Sequence, residues 1–387
     1  MTDDSSKLDL RVNTLRHFGA ADNEADNEIE ELIAYNKLVF NHETIPGRLP
    51  LEDEAFVGPW MEYHSQINGG NCFDVLRRYL VQLNFPIESG ISKTEHYRDV
   101  TLRGVKPEGS SGSLLLKHPE ELRLIIHPTV AGHIPVLMPY GREDFTSIIR
   151  SLAQRNEPAA IPDSMGALTV SGYNNWDRIN RMRADYERDN SFIPWAVVFN
   201  DMMSKVDLYQ DKFIILSDGP YSNCSAAEMG IGVNEWKDKS LVIRREHECA
   251  HYLTKRLFLS MKNNIMDELI ADFSGITAAF NEFRAGWFLR FIGLENFPEY
   301  REGGRLENYK GDPALSDGAF IVLQRLIHSA AHNLEAFYVQ KNNSRLLTII
   351  TLTYLTLEEI ASPSYYETME TVFSSLQEVL SNVRKEC

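Results

Sequence analysis

REHECAHYLTKRLFLSMKNNIMDELIAD, from Arg245 to Asp272, is the stretch whose reading decides the fold. It opens with His247-Glu248-Cys249-Ala250-His251, an H-E-x-x-H pattern. On an α-helix, positions i and i+4 differ by about 40° of rotation, so His247 and His251 project from one face a turn apart, spaced to grip one Zn²⁺. Glu248 lies about 100° from His247 and about 60° from His251, within reach of a water held by the metal, and is the candidate general base. Val242, Cys249, Leu253 and Leu257 fall on the other side of the wheel and form the stripe expected to anchor the helix.

An H-E-x-x-H arises by chance in roughly 3% of chains of this size and histidine content, so its neighbourhood must carry the argument. A catalytic zinc takes three protein ligands and keeps a fourth position for water. The metzincin continuation would need Gly and His where Thr254 and Leu257 stand, and is excluded. The motif helix is expected to end near Ser260, followed by the polar turn Lys262-Asn263-Asn264 and a second helix from Ile265. There Glu268 and Asp272 are i and i+4 on one face, with Ile265, Leu269 and Phe273 beside them as packing residues. Antiparallel pairing across so short a turn brings Glu268 opposite His247 and His251 as the third ligand. Asp272, a turn further on, is then placed to accept the free ring N–H of a ligand histidine.

This arrangement resembles the gluzincin metallopeptidases of the thermolysin type, in which HExxH is followed one helix later by ExxxD. The resemblance covers His247 to Asp272. It implies His247, His251 and Glu268 as zinc ligands, Glu248 as general base and Asp272 as the residue that orients a ligand histidine. Sixteen residues separate His251 from Glu268, tighter than is usual for that class, which leaves Asp267 and Asp272 open as substitute ligands. Together with IPDSMGALTVSGYNNWDRI (Ile161 to Ile179), the stretches REHECAHYLTKRLF and NNIMDELIADFSGI also resemble a bacterial family of unknown function, which transfers no activity.

Outward from the motif, the chain after about Lys239 has helical periodicity throughout, and the part before it is mixed. LRLIIHP (Leu122 to Pro128), IPVLMP (Ile134 to Pro139) and FIILSD (Phe213 to Asp218) read as strands. Helices are expected over Phe73 to Leu83, over Glu143 to Arg155 with Phe145, Ile148, Ile149 and Leu152 on one stripe, and over Trp176 to Arg188. Lys106 to Ser113 reads as a loop, and the Pro- and Gly-containing segment from Pro158 to Trp176 as a short strand in loop chemistry. GIGVNEW (Gly230 to Trp236) is a candidate edge strand that would hydrogen-bond an extended peptide. The fold class is therefore α+β. A zincin-like half, with a small sheet over the HExxH helix and a helical C-terminal part, follows a mixed α/β N-terminal region. The divisions are an acidic, weakly ordered lead over 1–35, a mixed region over 36–160 and the α-rich catalytic region over 161–387.

Charge and cysteine usage remove whole classes of function. The 387 residues carry a net charge of -16, and the first 60 hold 13 acidic against 5 basic residues, so half of the surplus sits in less than a sixth of the chain. A basic nucleic-acid footprint is absent and anionic membranes repel such a surface. Cys72, Cys224, Cys249 and Cys387 stand far apart without a paired spacing, which argues against a disulfide framework or a thiolate zinc knuckle. The N-terminus lacks the basic and apolar regions of a secretory signal, and the longest apolar stretch, Leu346 to Leu357, is too short to span a bilayer. A cytoplasmic protein is expected.

These readings converge on a zinc metallohydrolase with a peptide or protein substrate. Glu248 takes a proton from the attacking water and later delivers it to the leaving amine. A zinc-dependent amide or ester hydrolase for a small metabolite, and a non-catalytic interaction protein with a structural HExxH helix, are the competing readings. His328 and His332, an i, i+4 pair, and Tyr309 and Tyr338 are the candidates for stabilising the transition state. Cys249 reads as packing, His127 and His133 as structural, and neither Ser164 nor the Gly-rich segments match a nucleophile elbow or a phosphate loop.

Overall fold

The computed structural model describes residues 2–22, 27–43, 49–67, 71–106, 112–189, 192–260, 264–342 and 344–383. Its α-helices outnumber its strands, and the chain divides into two compact units: Pro50–Gly219, and Met1–Leu49 together with Pro220–Cys387. The architecture is α+β, mostly helical with one four-stranded sheet.

The sheet lies wholly in Pro50–Gly219 and runs β1-β2-β4-β3, with β1 Arg123–Thr129, β2 Gly132–Met138, β3 Ala167–Asn174 and β4 Gln210–Leu216. β1 and β2 form an antiparallel hairpin with Thr129 opposite Gly132, whose φ of 87° places it in the left-handed region that glycine tolerates. β4 pairs in parallel with β2 and antiparallel with β3. Its central position explains its sequence: Phe213, Ile214, Ile215 and Leu216 are all buried, an unbroken apolar run in place of alternation. The helix Gly141–Leu152 packs Phe145, Ile148, Ile149 and Leu152 into one core with Leu124, Leu137, Phe213 and Ile215. Trp60 and Tyr63, from the helix Val57–Gln66, join that core. Buried Asp211 is held there by Trp60 Nε1 at 2.8 Å, Asn175 Nδ2 at 2.7 Å and the Arg178 guanidinium at 2.8 Å.

One sequence expectation in this unit meets a different outcome. The helix read over Phe73 to Leu83 is a short helix, Cys72–Leu76, followed by a 3₁₀ turn, Val81–Asn84. Asn84 causes the break: its amide donates to the Arg77 carbonyl at 2.8 Å and accepts from Arg77 Nε at 3.1 Å, folding the chain back. The loop read at 106–113 falls mostly outside the described residues.

The second unit is built from helices. The lead read as weakly ordered contains the helices Thr2–His17 and Glu28–Tyr35, which bury Leu15, Ile29 and Leu32. GIGVNEW is a helix-to-helix corner and not an edge strand. Gly230 ends the helix Ala226–Met229 in the left-handed region, and Gly232 caps the motif helix Val233–Phe258, which buries Trp236. Leu346 to Leu357 forms the core helix Arg345–Thr353 and the turn after it. Among the described residues no helix is long and apolar enough to cross a membrane.

Candidate metal centre

The motif helix ends at Leu259, whose φ of 56° turns the chain out of helical geometry. Lys262 and Asn263 of the expected turn lie outside the described residues. Asn264 then caps the helix Ile265–Phe280, its Oδ1 accepting from Met266 N and Asp267 N at 3.1 Å each. The two helices run antiparallel and approach closely at Gly275, where an added Cβ would stand 2.6 Å from the Ile243 carbonyl oxygen. That register sets His247 opposite Asp272 and His251 opposite Glu268. The motif helix is buried on more than one face: His247, Cys249, Ala250, His251, Tyr252, Leu253 and Thr254 are all buried, while Val242 of the expected stripe is only half-buried.

His247 Nε2 lies 3.2 Å from His251 Nε2, and each is 3.6 Å from an oxygen of the Glu268 carboxylate. A tetrahedral ion with bonds of about 2.0–2.1 Å has donors about 3.3–3.4 Å apart, so these separations fit a metal ion between them. Among the described residues this trio is the one group of three His, Cys, Asp or Glu side chains with ligand atoms so gathered. Its donor set of two imidazoles and a carboxylate suits a first-row transition ion better than Ca²⁺ or Mg²⁺. The electrostatics point the same way. Burial alone would depress His251, yet Glu268, Glu248 and Asp267 lift it to about 9, so these carboxylates draw a positive charge into the trio. Burial would raise Glu268, but His247, His251 and Arg305 hold its carboxyl well below the usual range.

Asp272 is fully buried and accepts from His247 Nδ1 at 2.8 Å, which assigns the ring proton to Nδ1 and leaves Nε2 as the free donor. Burial raises Asp272, and Arg305 and His247 more than offset that. Glu248, half-buried, follows His247 directly, and its charge acts on His251. Two residues that sequence reasoning missed complete the constellation. Tyr221 Oη donates to Asp272 Oδ1 and lies 3.0 Å from His247 Nδ1; the Arg305 guanidinium binds Asp272 Oδ2 and stands 3.1 Å from Tyr221 Oη and 3.7 Å from Glu268 Oε2.

Residues 13–364 match the family of unknown function DUF7005. The chain belongs to that family. No curated protein and no solved structure matches it. DUF7005 membership therefore brings no activity with it, and the chemistry of this member rests on its own side chains.

The other sequence candidates in this DUF7005 chain divide. Tyr309 lies near the centre: burial together with the nearby Glu268 charge raises its hydroxyl far above a free phenol. Its carbonyl accepts from Tyr35 Oη at 2.6 Å, so a residue of the N-terminal lead braces it. His328 instead stacks on Phe297, with ring centroids 4.1 Å apart, and His332 is exposed beside it. Tyr338 packs edge-on against Phe273. Neither His328, His332 nor Tyr338 belongs to the candidate metal trio.

Proposed function

We propose that this chain is a zinc-dependent peptidase of zincin-like type, with Zn²⁺ held by His247, His251 and Glu268 and Glu248 as general base. The observation that carries this reading is the convergence of His247 Nε2, His251 Nε2 and the Glu268 carboxylate at 3.2–3.6 Å, inside an antiparallel helix pair that also brings Asp272 to His247. A zinc ion bound there would supply Lewis acidity, lowering the pKa of a water in its open position and polarising a carbonyl oxygen.

The chain's own residues divide the remaining work. Glu248 accepts the proton of the attacking water as the new carbon–oxygen bond forms and returns it to the amine nitrogen as the carbon–nitrogen bond breaks. Asp272 holds the His247 ring in one tautomer and orientation. General-base catalysis contributes about 10²–10⁴-fold. Glu248→Gln, which keeps shape and removes basicity, should lower cleavage of a mixed peptide library by at least about 10²-fold. Metal content in that variant should stay near one ion per chain. Undiminished cleavage would remove Glu248 from the mechanism, and a metal-loaded wild type that cuts no peptide would remove the substrate class.

A further inference from the structure

Asp272 poses a chemical problem that its neighbours answer. A buried carboxylate one helical turn from Glu268 carries the charge of a further metal ligand, although its oxygens stand outside the gathered trio. Four protein ligands would close the site, because a catalytic ion needs an open position. Both Asp272 oxygens are already engaged, however. Oδ1 accepts from His247 Nδ1 and Tyr221 Oη, and Oδ2 is bound by the Arg305 guanidinium.

Tyr221 and Arg305 are themselves fixed. The Tyr221 backbone N–H donates to Ser240 Oγ at 3.0 Å and its ring packs edge-on against Phe291 at 4.9 Å. The guanidiniums of Arg244 and Arg305 each stand 5.7 Å from that ring's centroid. Arg305 Nη1 donates to Tyr221 Oη at 3.1 Å, so the two residues grip Asp272 as one unit.

We propose that Tyr221 and Arg305 are positioning residues that hold Asp272 against His247 and off the metal, so that the ion keeps three protein ligands and one open position. The proposal rests on the reading of His247, His251 and Glu268 as metal ligands. Arg305 carries the larger share, because it occupies the oxygen that His247 does not use.

Cobalt(II) added to the metal-free, full-length protein is the probe, since its visible spectrum reports coordination number, and azide is the competitor for the open position. In the wild type, azide shifts the cobalt spectrum. In Arg305→Met and Tyr221→Phe, the released Asp272 occupies the open position and the apparent azide affinity drops by about tenfold or more. Replacing Asp272 as well, in Arg305→Met/Asp272→Asn, restores the azide response, which a merely structural role for Arg305 would not do. Unchanged azide response in folded Arg305→Met and Tyr221→Phe overturns the proposal, and so does a double variant that stays unresponsive. Where Arg305→Met gives no cooperative melt, Tyr221→Phe, which removes a single hydroxyl, decides the question alone. A wild type that takes up no cobalt overturns the metal reading itself and this proposal with it.

Discussion

At the candidate metal trio the decisive detail is which nitrogen of His247 is free. Asp272 and Tyr221 take Nδ1, so the ring enters the site through Nε2, as does His251. Cys249, between the two histidines in sequence, has the opposite fate: it is buried, and burial pushes its thiol well above the usual range. The same cause lifts Cys72 to about 12 and Cys224 to about 11. Thiolate, not thiol, is the nucleophile, so all three should resist iodoacetamide at pH 8 in the native protein and react in urea. Peptide mass spectrometry reads this directly; alkylated Cys249 in the native sample would contradict its placement in the packed face of the motif helix.

Helix periodicity made one tier of the site legible in the sequence and left another hidden. His247, Glu248 and His251, and likewise Glu268 and Asp272, are related by the turn of a single helix, so their spacing carries their geometry. Tyr221 and Arg305 reach Asp272 across 51 and 33 residues from the starts of short 3₁₀ turns, too brief for a period to signal direction. The strands followed from apolar runs, but their order did not, because β2 and β4 are joined in parallel across a long excursion. The helix break after Leu76 depended on Asn84, a contact that periodicity does not report. At this scale Gly275 constrains the helix pair, because its missing side chain faces backbone. Gly275→Ala would force a methyl against the Ile243 carbonyl and spread the two helices, at a cost of about 1–3 kcal/mol. Metal uptake should weaken along with thermal stability, measured by chelator competition and by melting. A variant as stable and as avid for metal as the wild type would show that the close approach does not set the site.

In the helical unit as a whole, the N-terminal helices are tied to the C-terminal segment. Arg11 donates to the Ile33 carbonyl at 3.1 Å and pairs with fully buried Glu358 at 3.3 Å, which also accepts from Asn36 at 3.1 Å. The acidic composition of the lead gave no sign of this, because net charge reports the exposed residues and the tie is made by Leu15, Leu32, Arg11 and Asn36. Burial pushes Glu358 above the usual carboxyl value, with Arg11 opposing. A folded-state pKa above the unfolded one means that the ionised group costs stability near neutral pH, and that the cost disappears as pH falls through the folded-state value. Arg11→Met should therefore lose about 3 kcal/mol at neutral pH and recover part of it at mildly acidic pH. Urea melts at the two pH values test this; an equal loss at both would contradict the pairing.

The acidic residues of the chain thus serve at least three ends: a solvating surface, the Glu358 tie, and the carboxylates gathered around His251. The last of these carries the central claim, and metal content of the purified protein tests it most directly. The account predicts close to one zinc per chain in the wild type and almost none in His251→Ala and Glu268→Ala. A wild type without zinc, or variants that keep it, would contradict the account.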